Sequence, residues 1–315
     1  FKKITIIGMG LIGSSLARAV RENNLAETLV AVDTNKDVCG RVLALDIVDE
    51  VTMKTAKALP GSDLVVLAVP MGAYAGVALD LAAYLTPGAI VTDVGSVKQA
   101  AIDSLKPHMP KHAHLVPGHP IAGTEHSGPD AGFAGLFKDR WCILTPLADG
   151  DIRALEKVTA FWESCGSMIE IMDARHHDLV LAMTSHLPHL IAYTVVGTAA
   201  DMEGDIKREI IKYSASGFRD FTRIAASDPV MWRDIFLNNK DAVLEILQRF
   251  TEDLTALQKA IRNGDGDLLK SSFTRTRQIR NDVIDAGQAR SAMASLLPAA
   301  SPVEAALKES SGSAG

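Results

Sequence analysis

Ile4-Thr5-Ile6-Ile7-Gly8-Met9-Gly10-Leu11-Ile12-Gly13-Ser14-Ser15-Leu16-Ala17-Arg18-Ala19-Val20 joins a β-branched run, three glycines in the pattern G-x-G-x-x-G, and a stretch with helical spacing. The glycine pattern alone is common. A run without polar alternation before it, as in a strand buried on both faces, and a helix after it make it specific for the phosphates of a dinucleotide. Each glycine then plays a distinct part. Gly8 makes the tight turn, Gly10 lets the backbone approach a pyrophosphate, and Gly13 lets the helix pack closely on the strand. The first helical residues, Leu11 and Ile12, belong to the same cofactor-binding turn, where unpaired N–H groups and the positive end of the helix dipole face the phosphates.

Downstream, Leu29-Val30-Ala31-Val32 reads as a second strand, and Asp33 ends it 20 residues after Gly13. A carboxylate at that point accepts hydrogen bonds from the adenosine ribose and repels a 2′-phosphate, so the expected cofactor is NAD rather than NADP. Lys36 stands close enough to weaken that preference. The competing role for Asp33 is the N-cap of a helix beginning near Asn35.

Two further buried-strand runs follow, Asp63 to Pro70 and Ala89 to Val94, the second leading into Gly95-Ser96-Val97-Lys98. Strands alternating with helical stretches describe a doubly wound α/β sheet, in which ligands bind beyond the carboxyl ends of the strands. Val69, Pro70 and Ser96 are therefore expected on the cofactor side, with His119 converging on the same crevice. His119 lies within Gly118-His119-Pro120-Ile121-Ala122-Gly123-Thr124-Glu125-His126-Ser127-Gly128, a stretch with neither helical nor strand periodicity. An imidazole titrates near neutrality and can take a proton from a reacting hydroxyl and return it; the alternative is a histidine that only hydrogen-bonds a turn.

Trp141 to Pro146 reads as a late strand, and Arg153 to Ser164 with Ile169-Glu170 as a helix and a short strand closing the sheet domain. From Asp173 onward the pattern is helical. Asp178 to Ala200 is long and largely apolar, with Pro188 expected to kink it. Val243, Leu247, Phe250, Leu254, Leu257 and Ile261 form one stripe suited to packing on another helix. The expected division is residues 1–172, 173–290 and a mobile tail over 291–315, where Ala, Ser, Pro and Gly dominate.

Bulk properties narrow the function. A chain of 315 residues with 47% hydrophobic content can bury two cores, and its net charge of -6 argues against nucleic acid or an anionic membrane as partner. Three widely spaced cysteines suggest reduced thiols and a cytoplasmic protein. The first apolar run is too short for a signal peptide, and Leu179 to Ala200, nearest to a membrane span, holds two histidines and a proline. His186 and His189 have no Cys or acidic companion at ligand spacing, so no metal is expected. Arg219 and Arg223 stand among aromatics in Gly217 to Ala225, where a guanidinium could grip a carboxylate or pair with Asp220 or Asp228.

The glycine turn, Gly95-Ser96-Val97-Lys98, Gly118 to Glu125, Ser185-His186-Leu187-Pro188-His189 and Asp220-Phe221-Thr222-Arg223-Ile224-Ala225 through Trp232 occur in an order that resembles the prephenate and arogenate (cyclohexadienyl) dehydrogenases of tyrosine biosynthesis. The resemblance spans about residues 3–286. It implies an α/β Rossmann-type doubly wound domain followed by an all-α helical dimerisation domain, hence a homodimer, with prephenate or arogenate as substrate. It also implies that His119 takes the ring-hydroxyl proton, Ser96 orients hydroxyl and histidine, and Arg223 binds the ring carboxylate. His189, Thr124, Glu125 and Ser216 match pocket positions. Ser214-Ala215-Ser216 replaces the consecutive glycines of some relatives. Neither a chorismate mutase segment before Ile4 nor a regulatory domain after Ala286 is expected. Two other readings are a β-hydroxy-acid dehydrogenase, which would use a central lysine, and a non-catalytic NAD-binding sensor.

Overall fold

The computed structural model describes residues 1–124, 126–202, 209 and 216–283. The opening run forms β1 (Lys3–Ile7) and the helix after the glycines is α1 (Leu11–Glu22). There follow β2 (Thr28–Val32), α2 (Lys36–Ala44), β3 (Glu50–Thr52), α3 (Thr55–Ala58), β4 (Leu64–Leu67), α4 (Tyr74–Tyr84), β5 (Ile90–Asp93), α5 (Lys98–Leu105) and β6 (His114–Val116). All six strands are parallel, in the order β3-β2-β1-β4-β5-β6.

Side-chain alternation explains why these strands carry no polar face. Ile4, Ile6, Leu29, Ala31, Leu64 and Val66 point into one apolar layer with Leu16 and Val20, while Ile7, Val30, Val32, Val65 and Leu67 point into another with Tyr74 and Leu81. Helices cover both faces, as a parallel sheet requires. The strand order reverses between β1 and β4, which opens a crevice at their carboxyl ends.

A second, three-stranded sheet holds β7 (Gly118–Pro120), β8 (Trp141–Leu144) and β9 (Met168–Ile171), with α6 (Ile152–Ser164) between the last two. β7 runs antiparallel to β8 and pairs His119 with Ile143. The stretch around His119 thus begins as a strand, contrary to its lack of sequence periodicity. Gly-His-Pro has little strand preference of its own, and pairing with the apolar β8 supplies what propensity does not.

The helical part starts with α7 (Ala174–Leu181), capped by Asp173, and continues through a π-helical turn, Ala182–His186, into α8 (Leu187–Ala200). Pro188 lacks the N–H that an α-helix would need there, and the π turn just before it is where the ladder changes register. Ala174–Ala200 is long and apolar enough to cross a membrane by length and composition. That overturns the expectation that no segment is. Its first turns are nevertheless committed to the sheet domain, as the buried Asp178 and His177 described below show.

Next come α9 (Ser216–Thr222), a 3-10 turn over Arg223–Ala226, and α10 (Pro229–Asn238), whose Asp228 cap accepts from the Met231 N–H at 2.7 Å. Trp232 and Ile235 of α10 pack into the apolar layer that holds Tyr74 and Leu81. α11 (Lys240–Asn263) follows, and α12 (Gly266–Val283) begins after a turn in which Gly264 has a φ of +68°.

Phe1–Phe250 forms one compact unit and a second begins at Thr251. In the second, Leu254 and Ile261 of the apolar stripe read along α11 are exposed, as are Leu268, Phe273 and Ile279 of α12. The tail expected over 291–315 lies outside the described residues.

Candidate active site

At the end of β1, Gly8 adopts a φ of +96°, a region that side chains with a Cβ rarely enter, and its N–H donates to the Val32 carbonyl at 2.7 Å. A Cβ on Gly13 would collide with the Gly8 carbonyl oxygen, whereas a Cβ on Gly10 would meet nothing within 4 Å. Two glycines therefore build the turn and the third leaves an open face at the start of α1, where Leu11 and Ile12 present the first-turn amides. Val69 packs against Gly8, and Pro70 follows it at the mouth of the crevice. This cradle fits a dinucleotide pyrophosphate.

Asp33 caps no helix. One carboxylate oxygen accepts the Met9 N–H and the other the Asn35 N–H, both at 2.9 Å, while Asn35 itself caps α2. The carboxylate so braces the glycine turn, and each oxygen keeps a further lone pair for ribose hydroxyls.

Beyond β5 a buried network ties two loops together. Asp93 Oδ2 accepts from Lys98 Nζ, from the Tyr74 hydroxyl at 2.9 Å and from the Gly95 N–H at 2.9 Å. Asp93 Oδ1 accepts the Gly118 N–H at 3.1 Å, and Lys98 Nζ donates to the Gly118 carbonyl at 2.6 Å. Gly95 and Gly118 precede Ser96 and His119, so one ion pair fixes both. Burial lowers the Lys98 pKa against the pull of Asp93, and burial raises that of Tyr74. A buried lysine so engaged is a brace for these loops.

His119 is buried, and its Nδ1 lies 2.9 Å from His177 Nε2. His177 Nδ1 lies 2.8 Å from Asp178 Oδ1. Asp178 also accepts the Lys98 N–H at 2.7 Å and the Gln99 N–H at 2.9 Å, the first amides of α5. Burial first, then His177, Lys98 and His186, depress the His119 pKa well below the usual imidazole range, so the ring is neutral.

Asn239 Nδ2 donates to the Asp178 carbonyl at 2.8 Å and to His186 Nδ1 at 3.1 Å. The second bond leaves the His186 proton on Nε2, a buried atom that meets no partner among the described residues. Burial lowers the His186 pKa to about 4. His189 donates from Nδ1 to the Ser185 carbonyl at 2.8 Å and stacks on Trp232 with ring centroids 3.7 Å apart. Arg223 opens the 3-10 turn and stands near enough to His189 to lower its pKa, after burial, the larger cause.

The residues expected to act together therefore fall into two sets. Gly8, Gly10, Leu11, Ile12, Gly13, Asp33, Val69 and Pro70 surround the crevice; half-buried Ser96 and His119 hang from the Asp93–Lys98 pair. His189 and Arg223 come from the helical part, with Arg223 near His189, His189 near His186 and His186 near His119. Thr124 lies in an exposed loop and Ser216 at the exposed start of α9; Glu125 lies outside the described residues.

His177 and Asp178 escape a reading of the sequence. Their signal is the buried spacing Ala174, His177, Asp178, Leu181 along α7, an amphipathic face with two polar groups in core positions.

Sheet order, glycine turn and the carboxylate at the end of β2 define the protein as one that binds a dinucleotide on a Rossmann-type sheet. Residues 16–171 match the family model "Prephenate dehydrogenase, nucleotide-binding domain", and residues 173–275 match "Prephenate dehydrogenase, dimerization domain". The cyclohexadienyl dehydrogenase of Zymomonas mobilis is 45% identical over 89% of this chain and 95% of its own. The crystal structure of Aquifex aeolicus prephenate dehydrogenase, in complex with hydroxyphenyl propionate and NAD+, superposes with a TM-score of 0.82 at 34% identity, covering 90% of this chain and 98% of that one. Synechocystis arogenate dehydrogenase gives a TM-score of 0.76 at 29% identity, over 89% of this chain and 99% of that one. The chain belongs to the prephenate dehydrogenase family.

Proposed function

We propose that the chain catalyses the oxidative decarboxylation of prephenate, of arogenate or of both, to 4-hydroxyphenylpyruvate and tyrosine respectively. The observation that carries this reading is a buried, neutral His119 anchored to the same ion pair as Ser96, at the carboxyl edge of a dinucleotide-binding sheet. The substrate ring bears a hydroxyl at one end and a carboxylate at the other.

His119 takes the hydroxyl proton on Nε2, and Ser96 orients that hydroxyl. The glycine turn and Asp33 would hold NAD+, which when bound would supply the acceptor for the hydride of the carbon bearing the hydroxyl. Arg223 grips the ring carboxylate until it leaves as carbon dioxide, and His189, Thr124, Glu125 and Ser216 line the remainder of the pocket. As the ring becomes aromatic, His119 returns its proton to the phenolate oxygen, so the base is regenerated. Similarity to a cyclohexadienyl dehydrogenase favours acceptance of both substrates.

We further read the chain as a homodimer joined through residues 173–290, with 1–172 binding the dinucleotide. The dimerization-domain match and the exposed Val196, Leu254, Ile261, Phe273 and Ile279 support this. Three free, buried cysteines favour a reducing cytoplasm.

Initial rates with prephenate and arogenate, each with NAD+ and NADP+, test the assignment. NADH formation from at least one substrate is expected, with NADP+ the poorer acceptor. Absence of reduced cofactor with either substrate overturns it.

A further inference from the structure

The contact between His119 and His177 assigns a proton. Asp178 receives three N–H groups: the amides of Lys98 and Gln99 and the ring of His177. A backbone amide can only donate, and the start of α5 favours negative charge, so Asp178 serves as an acceptor on every side. The hydrogen of the His177–Asp178 bond therefore belongs to His177 Nδ1.

His177 has no exposed side-chain surface, and burial depresses its pKa, so the ring carries one proton only. With that proton on Nδ1, its Nε2 is a lone pair. His119 Nδ1, 2.9 Å away, must then be the donor. What remains on His119 is an unprotonated Nε2.

We infer that His177, anchored by Asp178, is a positioning residue that fixes His119 as the tautomer with Nδ1 protonated and Nε2 free to take a proton. The inference rests on the reading of His119 as the base, and it adds how the base is aimed and kept in the competent form. A neutral imidazole in water distributes its proton over both nitrogens, and one tautomer offers the reacting hydroxyl a donor instead of an acceptor. Once Nε2 is protonated, the imidazolium donates through Nδ1 to His177, which passes the polarisation on to Asp178. No second proton needs to leave the site.

Helix register makes the pair possible. His177 faces β7 from α7, and the adjacent Asp178 meets the start of α5. Asn239 adds a third tie by donating to the Asp178 carbonyl at 2.8 Å. The arrangement resembles a triad in which a carboxylate orients a histidine, with a second imidazole inserted between them.

The test uses the full chain labelled with 15N-histidine, with the His119 signal assigned by its loss in His119→Asn. Two-bond proton–nitrogen correlations report which ring nitrogen carries hydrogen. In the unsubstituted protein, His119 is expected with Nδ1 protonated; finding the hydrogen on Nε2 overturns the inference with no variant needed. His177→Phe removes the acceptor and should move His119 towards the other tautomer, with kcat lowered at least about tenfold and KM for the ring substrate changed by less than about threefold. His177→Gln places a carboxamide oxygen near the former Nε2 and should restore the Nδ1–H form and most of kcat. An unchanged tautomer in a folded His177→Phe protein overturns the inference, as does a Gln variant no better than Phe. Because the correlation needs no turnover, the expected tautomer in a protein inactive on both substrates would overturn the proposed reaction and leave the tautomer assignment standing.

Discussion

Lys98 and Asp93 form an ion pair with no exposed side-chain surface on either partner, and both also bond to Gly118, one through the carbonyl and one through the N–H. The pair thus clamps the residue before His119 while Asp93 holds Gly95, the residue before Ser96. Charge is buried here at the point where two loops must meet. Removing one partner leaves the other uncompensated in an apolar layer.

Lys98→Met should therefore destabilise the protein by about 3–5 kcal/mol in urea unfolding. The double variant with Asp93→Asn should recover part of that loss, because the orphaned charge disappears. A single variant as stable as the parent would show that the pair is not what holds the loops. Turnover should fall in both variants, since neither restores the second bond to Gly118.

His119→Asn removes the proposed proton acceptor but no part of the glycine turn. kcat should drop at least about a hundredfold while NAD+ binding, followed by fluorescence titration, stays as it was. Normal turnover would remove His119 from the role of base.

Arg223→Ala separates substrate binding from the chemistry at His119. It should raise KM for the ring substrate more than it lowers kcat, because it withdraws the cation from a carboxylate present in the ground state. A KM equal to that of the parent enzyme would refute the assignment.

How far the sequence can be read differs from one part of the site to another. Gly8 and Gly13 are legible because the turn excludes a Cβ, and Ile4 to Ile7 because a strand buried on both faces admits no polar alternation. The strand that carries His119 is not legible: β7 exists only through its pairing with Trp141–Leu144, a contact no local pattern encodes. Asp178 is invisible for a related reason. Its donors, Lys98 and Gln99, lie 80 and 79 residues earlier in the chain. Asp33 stands where its spacing from Gly13 puts it, at the end of β2, yet it is not the cap that its neighbourhood also suggests, because Asn35 reaches the Asp37 and Val38 amides instead.

The cluster of neutral histidines sets the pH dependence. Burial takes His186 from an ordinary 6.5 to about 4, so between those values the unfolded chain binds more protons than the folded one. Stability is therefore complete above pH 6.5 and is lost as pH falls towards 4. The His186 share amounts to about 3 kcal/mol. Urea midpoints measured across this interval should decline, and the decline should be shallower in His186→Gln. Equal slopes in parent and variant would show that His186 does not titrate on unfolding. For activity, the depressed His119 pKa means that kcat/KM should hold as pH drops through the ordinary imidazole range.

We propose that Asp33 sets the choice between the two nicotinamide cofactors, and its geometry suggests a test. Each oxygen already takes one backbone N–H, from Met9 and from Asn35, so the carboxylate is held in place before any ribose arrives. A 2′-phosphate would meet this fixed negative charge, with the exposed Lys36 as a counter-charge close by in the chain. Asp33→Ser removes the repulsion and keeps a hydroxyl for hydrogen bonding. The ratio of kcat/KM for NADP+ to that for NAD+ should then rise at least about tenfold, equivalent to about 1.4 kcal/mol of discrimination. Part of the change should appear as poorer use of NAD+, because a serine accepts fewer hydrogen bonds from ribose hydroxyls than a carboxylate does. If the ratio stays where it was, discrimination lies elsewhere on the crevice rim, and Asp33 serves only to hold the glycine turn.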